Sequence, residues 1–137
     1  MRAVLDTNVV VSAMLTPGGT CSRIIDLWDD GLMEVLMTEQ VEQEYQRVLH
    51  NTALHITRRS IGSLLARVRE FAQFVSPDTS APRLPDPDDT AFLECALGGL
   101  AHCIVTGNRK HFPAKACRGV RVVSPAEFLE LFRRRGR

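Results

Sequence analysis

Short apolar runs recur along the chain, each closing on a polar residue and followed by an amphipathic stretch. This alternation constrains the fold more than any other feature. "RAVLD" (2–6), "LMEVLM" (32–37), "AHCIVT" (101–106) and "VRVVS" (120–124) have the length and character of buried strands. "TNVVVSAML" (7–15) fits strand or helix by periodicity. Thr7 and Asn8 are N-cap types directly after the first run, which favours strand, tight turn, helix. "CSRIIDLWDDG" (21–31) groups Ile24, Ile25, Leu27 and Trp28 near one face and stops at Gly31, as a helix does. Thr38 caps a helix over 39–51 with Val41, Tyr45, Val48 and Leu49 inward. Residues 57–75 contain another helix, and a proline-rich connection (76–89) leads to one with Phe92, Leu93, Ala96 and Leu97 inward, ending at Gly98-Gly99. The last helix, "PAEFLELFRRR", carries Pro125 in its first turn.

Strands alternating with helices predict an α/β domain around a mostly parallel sheet. One domain over 1–137 is expected at a length of 137 residues, enough to bury roughly 70% of the unfolded surface. No apolar run nears the ~20 residues that span a bilayer. Met1-Arg2 leads straight into the first strand without a signal peptide, so a cytoplasmic location without membrane association is expected. Cys21, Cys95, Cys103 and Cys117 form no Cys-x-x-Cys pair and fit no common zinc spacing, so they read as reduced thiols. A net charge of +1 gives no overall pull toward nucleic acid. The basic tail "RRRGR" (133–137) reads as a solvated terminus, with a phosphate-backbone contact as the alternative.

In parallel α/β sheets ligands bind beyond the C-terminal strand ends, so polar residues there matter. Asp6 ends the first strand, and Glu44 follows the second from inside the next helix. Asp86, Asp88 and Asp89 stand where the proline-rich connection becomes a helix. Asn108 follows "AHCIVT". Gathered on one rim, the acids repel. Two charges ~4 Å apart cost about 4 kcal/mol at an effective dielectric of ~20. A divalent cation removes that cost, and hard oxygen ligands select Mg²⁺ or Mn²⁺. Such an ion lowers the pKa of a bound water and polarises a phosphoryl oxygen, which suits phosphodiester hydrolysis.

Each acid also has a plain structural reading. Asp88 serves as an N-cap or first-turn acid, Asp86 as a turn residue, and Asp89 as a helix-dipole partner. Glu39 and Glu42 read as solvated first-turn acids, and Glu44 as a surface residue bordering the apolar stripe. Asp6 is the hardest to place in a core without a function. His111 reads as packing or hydrogen-bonding structure, with a phosphate contact or acid role as the alternative.

Four blocks in order, "VLDTNVVVSAM", "EQEYQRVL", "DPDDTAFLECA" and "IVTGNRKHF", resemble PIN-domain proteins from Leu5 nearly to the end of the chain. The resemblance is to the bacterial group of toxin components related to VapC-type toxins. It implies a PIN-like α/β/α fold and a Mg²⁺- or Mn²⁺-dependent endoribonuclease. It also implies an RNA substrate, a small antitoxin partner and a homodimer. By position Asp6, Glu44 and Asp89 match the family's metal-holding acids. Thr7, Asn8 and Ser12 match the polar residues beside the first acid. Thr106 and Asn108 match a turn where many members carry a fourth acid. Asn108 supplies no charge, which shifts the expectation toward three carboxylates and one ion. Arg109 and Lys110 are candidate phosphate contacts.

Two other readings stay open at this point. One is a catalytically weak PIN module acting by RNA or protein binding. The other is a different acidic Mg²⁺ phosphatase of the haloacid-dehalogenase kind. That class needs Asp-x-Asp after the first strand, where this chain has "DTN".

Overall fold

The computed structural model describes residues 1–135. Five parallel strands form one sheet in the order β3-β2-β1-β4-β5, with β1 (Arg2–Leu5) at its centre. Its neighbours are β2 (Glu34–Met37) and β4 (Cys103–Val105); β3 (Gln73–Phe74) and β5 (Arg121–Val123) are the edges. The central strands are buried on both faces, which explains their unbroken apolar runs. Helices cover both faces, giving the expected α/β/α domain.

The helices are α1 (Thr7–Leu15), α2 (Thr20–Asp29), α3 (Glu39–Leu49), α4 (Arg58–Phe71), α5 (Pro87–Gly98) and α6 (Pro125–Arg135). Helix α5 lies against β1, β2 and β4 and packs on α3. The Tyr45 ring on α3 meets Phe92 on α5 at 6.4 Å between centroids. The fully buried Tyr45 hydroxyl donates to the Leu5 carbonyl at 2.5 Å, which pins α3 to the end of the first strand.

Register does much of the positioning. Leu5 on β1 pairs with Val105 on β4, and the Asp6 N–H donates to the Val105 carbonyl at 2.9 Å. Asp6 and Thr106 therefore leave adjacent strands side by side. The adjoining turn is held from outside. Arg109 pairs with Glu127 at 3.1 Å, and Glu127 closes a capping box with Ser124 at the start of α6.

Several local expectations are corrected. Thr7 and Asn8 do not cap α1: Asp6 holds the cap position, and its carboxylate bonds elsewhere. Asp86, read as a turn residue, caps α5, accepting from the Asp88 N–H at 2.9 Å, and of its two readings Asp88 takes that of a first-turn acid, beside Pro87. Glu42 is not solvated. It shares the inward face with Tyr45 and Leu49, is 3% exposed, and pairs with Arg69 at 2.6 Å. The helix predicted within 57–75 ends at Phe71, and the short edge strand β3 follows. Of the basic tail, Arg133 to Arg135 form the last turn of α6; residues 136–137 lie outside the described residues. The cysteines are unpaired thiols, and three of the four are buried.

Candidate functional site

At the C-terminal ends of β1 and β4, Asp6 is 7% exposed and Thr106 fully buried. The Thr106 hydroxyl donates to Asp6 Oδ2 at 2.7 Å and accepts from the Asn108 N–H at 3.0 Å. The Asn8 amide donates to the same Asp6 oxygen at 3.3 Å, and its carbonyl oxygen accepts from the Gly107 N–H at 3.1 Å. Asn8 therefore ties the first turn of α1 to the loop after β4. Burial pushes the Asp6 carboxyl above the ordinary aspartate range, and the Thr106 hydrogen bond works in the opposite direction.

Asp89, in the first turn of α5, is also 7% exposed. Burial, reinforced by the nearby Asp6 charge, pushes its carboxyl up to about 6. His111 brings Nδ1 to 3.2 Å from Asp89 Oδ2, and its Nε2 lies 2.9 Å from the Asn108 side-chain nitrogen. A hydrogen-bonded chain thus runs from Asp6 through Thr106 and Asn108 to His111, whose ring stands within ion-pair distance of Asp89.

The remaining expected residues stand apart from that chain. Glu44 gives both carboxylate oxygens to Arg47, at 2.6 and 3.2 Å, and Arg47 also reaches Asp88 at 3.2 Å. The Thr7 hydroxyl is buried without a hydrogen-bond partner among the described residues. Ser12 is exposed on α1, with its side chain toward Cys21. Arg109 is tied to Glu127, and with Lys110 it borders an open groove of about 670 Å³ beside the edge strand β5.

Among the described residues no three His, Cys, Asp or Glu side chains stand together as a ready metal cage. The donor chemistry still suits a hard cation. Two buried carboxylates, Asp89 pushed up in part by the charge of Asp6, lie beside hydroxyl and amide groups. Mg²⁺ commonly keeps several waters and takes only one or two carboxylates.

A family model described as PIN domain matches residues 2–110. The chain belongs to the PIN domain family. The match takes in Asp6, Glu44, Asp89 and Asn108, and membership removes the dehalogenase-like reading. Two solved structures share the PIN fold. One is a chain in the crystal structure of VapBC2 from Rickettsia felis bound to a DNA fragment from their promoter, with TM-score 0.60 and 15% identity. The other is a chain of FitAcB from Neisseria gonorrhoeae, with TM-score 0.54 and 16% identity. Each alignment covers 90% of this chain and 98% of the other. No curated protein matches.

One partner in this PIN site, Arg47, which occupies Glu44, lay outside the residues singled out from sequence; His111, read there as packing or hydrogen-bonding structure, bonds to Asn108 and stands against Asp89. The signal for His111 was its place three residues after Asn108 within one tight turn. The signal for Arg47 was the i,i+3 spacing from Glu44 on a helix.

Proposed function

We propose that this PIN domain is a divalent-metal-dependent endoribonuclease that hydrolyses RNA phosphodiester bonds. In this reading it is the toxin of a type II toxin–antitoxin pair. The observation that carries the chemistry is the pair of buried acids at the C-terminal rim of the sheet, Asp6 and Asp89, both raised by burial and Asp89 further by the Asp6 charge. PIN domains are generally nucleases that use divalent metals. Both structural neighbours are toxin–antitoxin complexes, which supports a small antitoxin partner here. A cytoplasmic homodimer completes the proposal. No helix among the described residues is long and apolar enough to cross a membrane.

Asp6 and Asp89 would hold Mg²⁺ or Mn²⁺, and Glu44 would join them once its carboxylate leaves Arg47. When bound, the ion supplies Lewis-acid stabilisation of the phosphoryl oxygens and activates water. Thr106 and Asn8 fix the Asp6 carboxylate so that one face remains for ligand. Asn108 contributes a neutral amide to the rim and orients water there. Lys110, with Arg109, contacts phosphates flanking the scissile bond. Buried Thr7 keeps the first turn of α1 closed against Asp6.

A second reading draws on the Glu44–Arg47 pair. A site with its second acid already neutralised would bind RNA and cleave poorly. Incubating wild-type protein with end-labelled RNA in Mn²⁺, and separately in EDTA, decides between the two. Cleavage that EDTA abolishes supports the nuclease. RNA binding without cleavage supports the weak module.

A further inference from the structure

The bonds around His111 determine more than its position. Asp89 Oδ2 stands 3.2 Å from Nδ1, an ion-pair distance at which an ionised carboxylate favours a proton on that nitrogen. The Asn108 side-chain nitrogen can only donate, so Nε2 is the bare acceptor. The two contacts agree on one neutral tautomer, Nδ1–H. The same agreement orients Asn108: its amide N–H₂ faces the imidazole, which leaves Oδ1 on the other branch of the amide.

We propose that His111 is a positioning residue that locks the Asn108 amide and the Asp89 carboxylate in their orientations toward a bound cation. The clause about the cation rests on the nuclease reading; the tautomer does not. This also accounts for Asn at 108. An aspartate there has no proton to give to a bare Nε2, so Asn108 and His111 form a matched donor–acceptor pair. Of the natural side chains, Gln is a close mimic of the linkage. Its amide N–H₂ can donate to Asp89 while its carbonyl oxygen accepts from Asn108. Leu at 111 keeps comparable bulk and offers neither bond.

Two measurements on the intact protein test this. Two-bond ¹H–¹⁵N correlation of the metal-free wild type, above the usual histidine titration range, reports which ring nitrogen bears the proton. Unconstrained imidazole in water prefers Nε2–H, so a predominant Nδ1–H signal for His111 is a distinctive result. Mn²⁺ binding is then titrated for wild type, His111→Gln and His111→Leu. The Gln variant should stay within about 3-fold of wild type, and the Leu variant should lose ~10-fold or more, the scale found for groups that orient metal ligands. A predominant Nε2–H signal, protons on both nitrogens, equal affinities for Gln and Leu variants, or a wild type that binds no Mn²⁺ would each overturn the proposal. Neither measurement requires RNA cleavage. A wild type with the Nδ1–H tautomer and tight Mn²⁺ binding, yet no cleavage, would sink the nuclease reading alone.

Discussion

Thr106 donates its hydroxyl to Asp6 Oδ2 at 2.7 Å, between residues 100 positions apart in sequence. The parallel register of β1 with β4 makes the contact possible, because each residue directly follows a paired strand residue. Both groups are buried, so the bond lies in a medium where an unmatched carboxylate is costly. Thr106→Val should therefore lower stability by about 1–3 kcal/mol in urea unfolding, while Thr106→Ser should retain most of it. Equal stability for the Val variant would show that Asp6 does not depend on this hydroxyl.

Asp89 gives a prediction of the opposite sign. Its folded-state pKa is raised from 3.8 to about 6, so the folded protein binds this proton more tightly than the unfolded chain. Its favourable contribution is complete below 3.8 and is lost as pH rises through about 6. Above that range the ionised carboxylate works against the metal-free fold. Asp89→Asn should then stabilise metal-free protein at neutral pH, by about 1–2 kcal/mol once partial solvent screening is allowed for. The gain should vanish near pH 4, close to the unfolded value of 3.8. Thermal denaturation of both proteins at the two pH values measures it. A loss of stability at neutral pH would contradict a cost for ionising Asp89 where it is buried beside Asp6.

Much of this arrangement was legible before the structure. The central strands announce themselves because they are buried on both faces and so carry continuous apolar runs. Asp6 stood out because a carboxylate ending such a run has few innocent explanations. The edge strand β3 was not legible. It has two residues, both exposed, and nothing periodic distinguishes it from the end of α4. Glu42 was misread because a first-turn acid normally faces water. Its pairing with Arg69, 27 positions on, depends on how α3 packs against α4. The capping roles of Asp86 and Asp88 differ by two positions, which local preference does not resolve.

Glu44 supplies a third prediction. If it joins the cation site after leaving Arg47, Glu44→Gln should weaken Mn²⁺ binding about 10-fold. Arg47→Ala should strengthen binding or leave it unchanged, because the exposed guanidinium competes for the carboxylate. Calorimetric titration with Mn²⁺ separates the cases. Identical affinities for wild type and Glu44→Gln would remove Glu44 from the donor set and favour the binding-module reading.

Gly98 tests how α5 is seated. A Cβ added there would run into the Ser76 carbonyl oxygen of the connection that crosses the end of the helix. Backbone cannot yield as a flexible side chain does. Gly98→Ala should cost about 1–3 kcal/mol, read as a lower urea midpoint. An unchanged midpoint would mean that residues 76–78 move aside freely.

The central claim is that the rim holding Asp6 cleaves RNA with the help of a divalent cation. The most direct measurement is the rate of RNA cleavage in Mn²⁺ by wild type and by Asp6→Asn, with circular dichroism showing that both are folded. The account predicts cleavage by wild type that EDTA abolishes, and a rate for Asp6→Asn lower by about 100-fold or more, the scale of losing one key electrostatic group. Undiminished, metal-dependent cleavage by folded Asp6→Asn would contradict it.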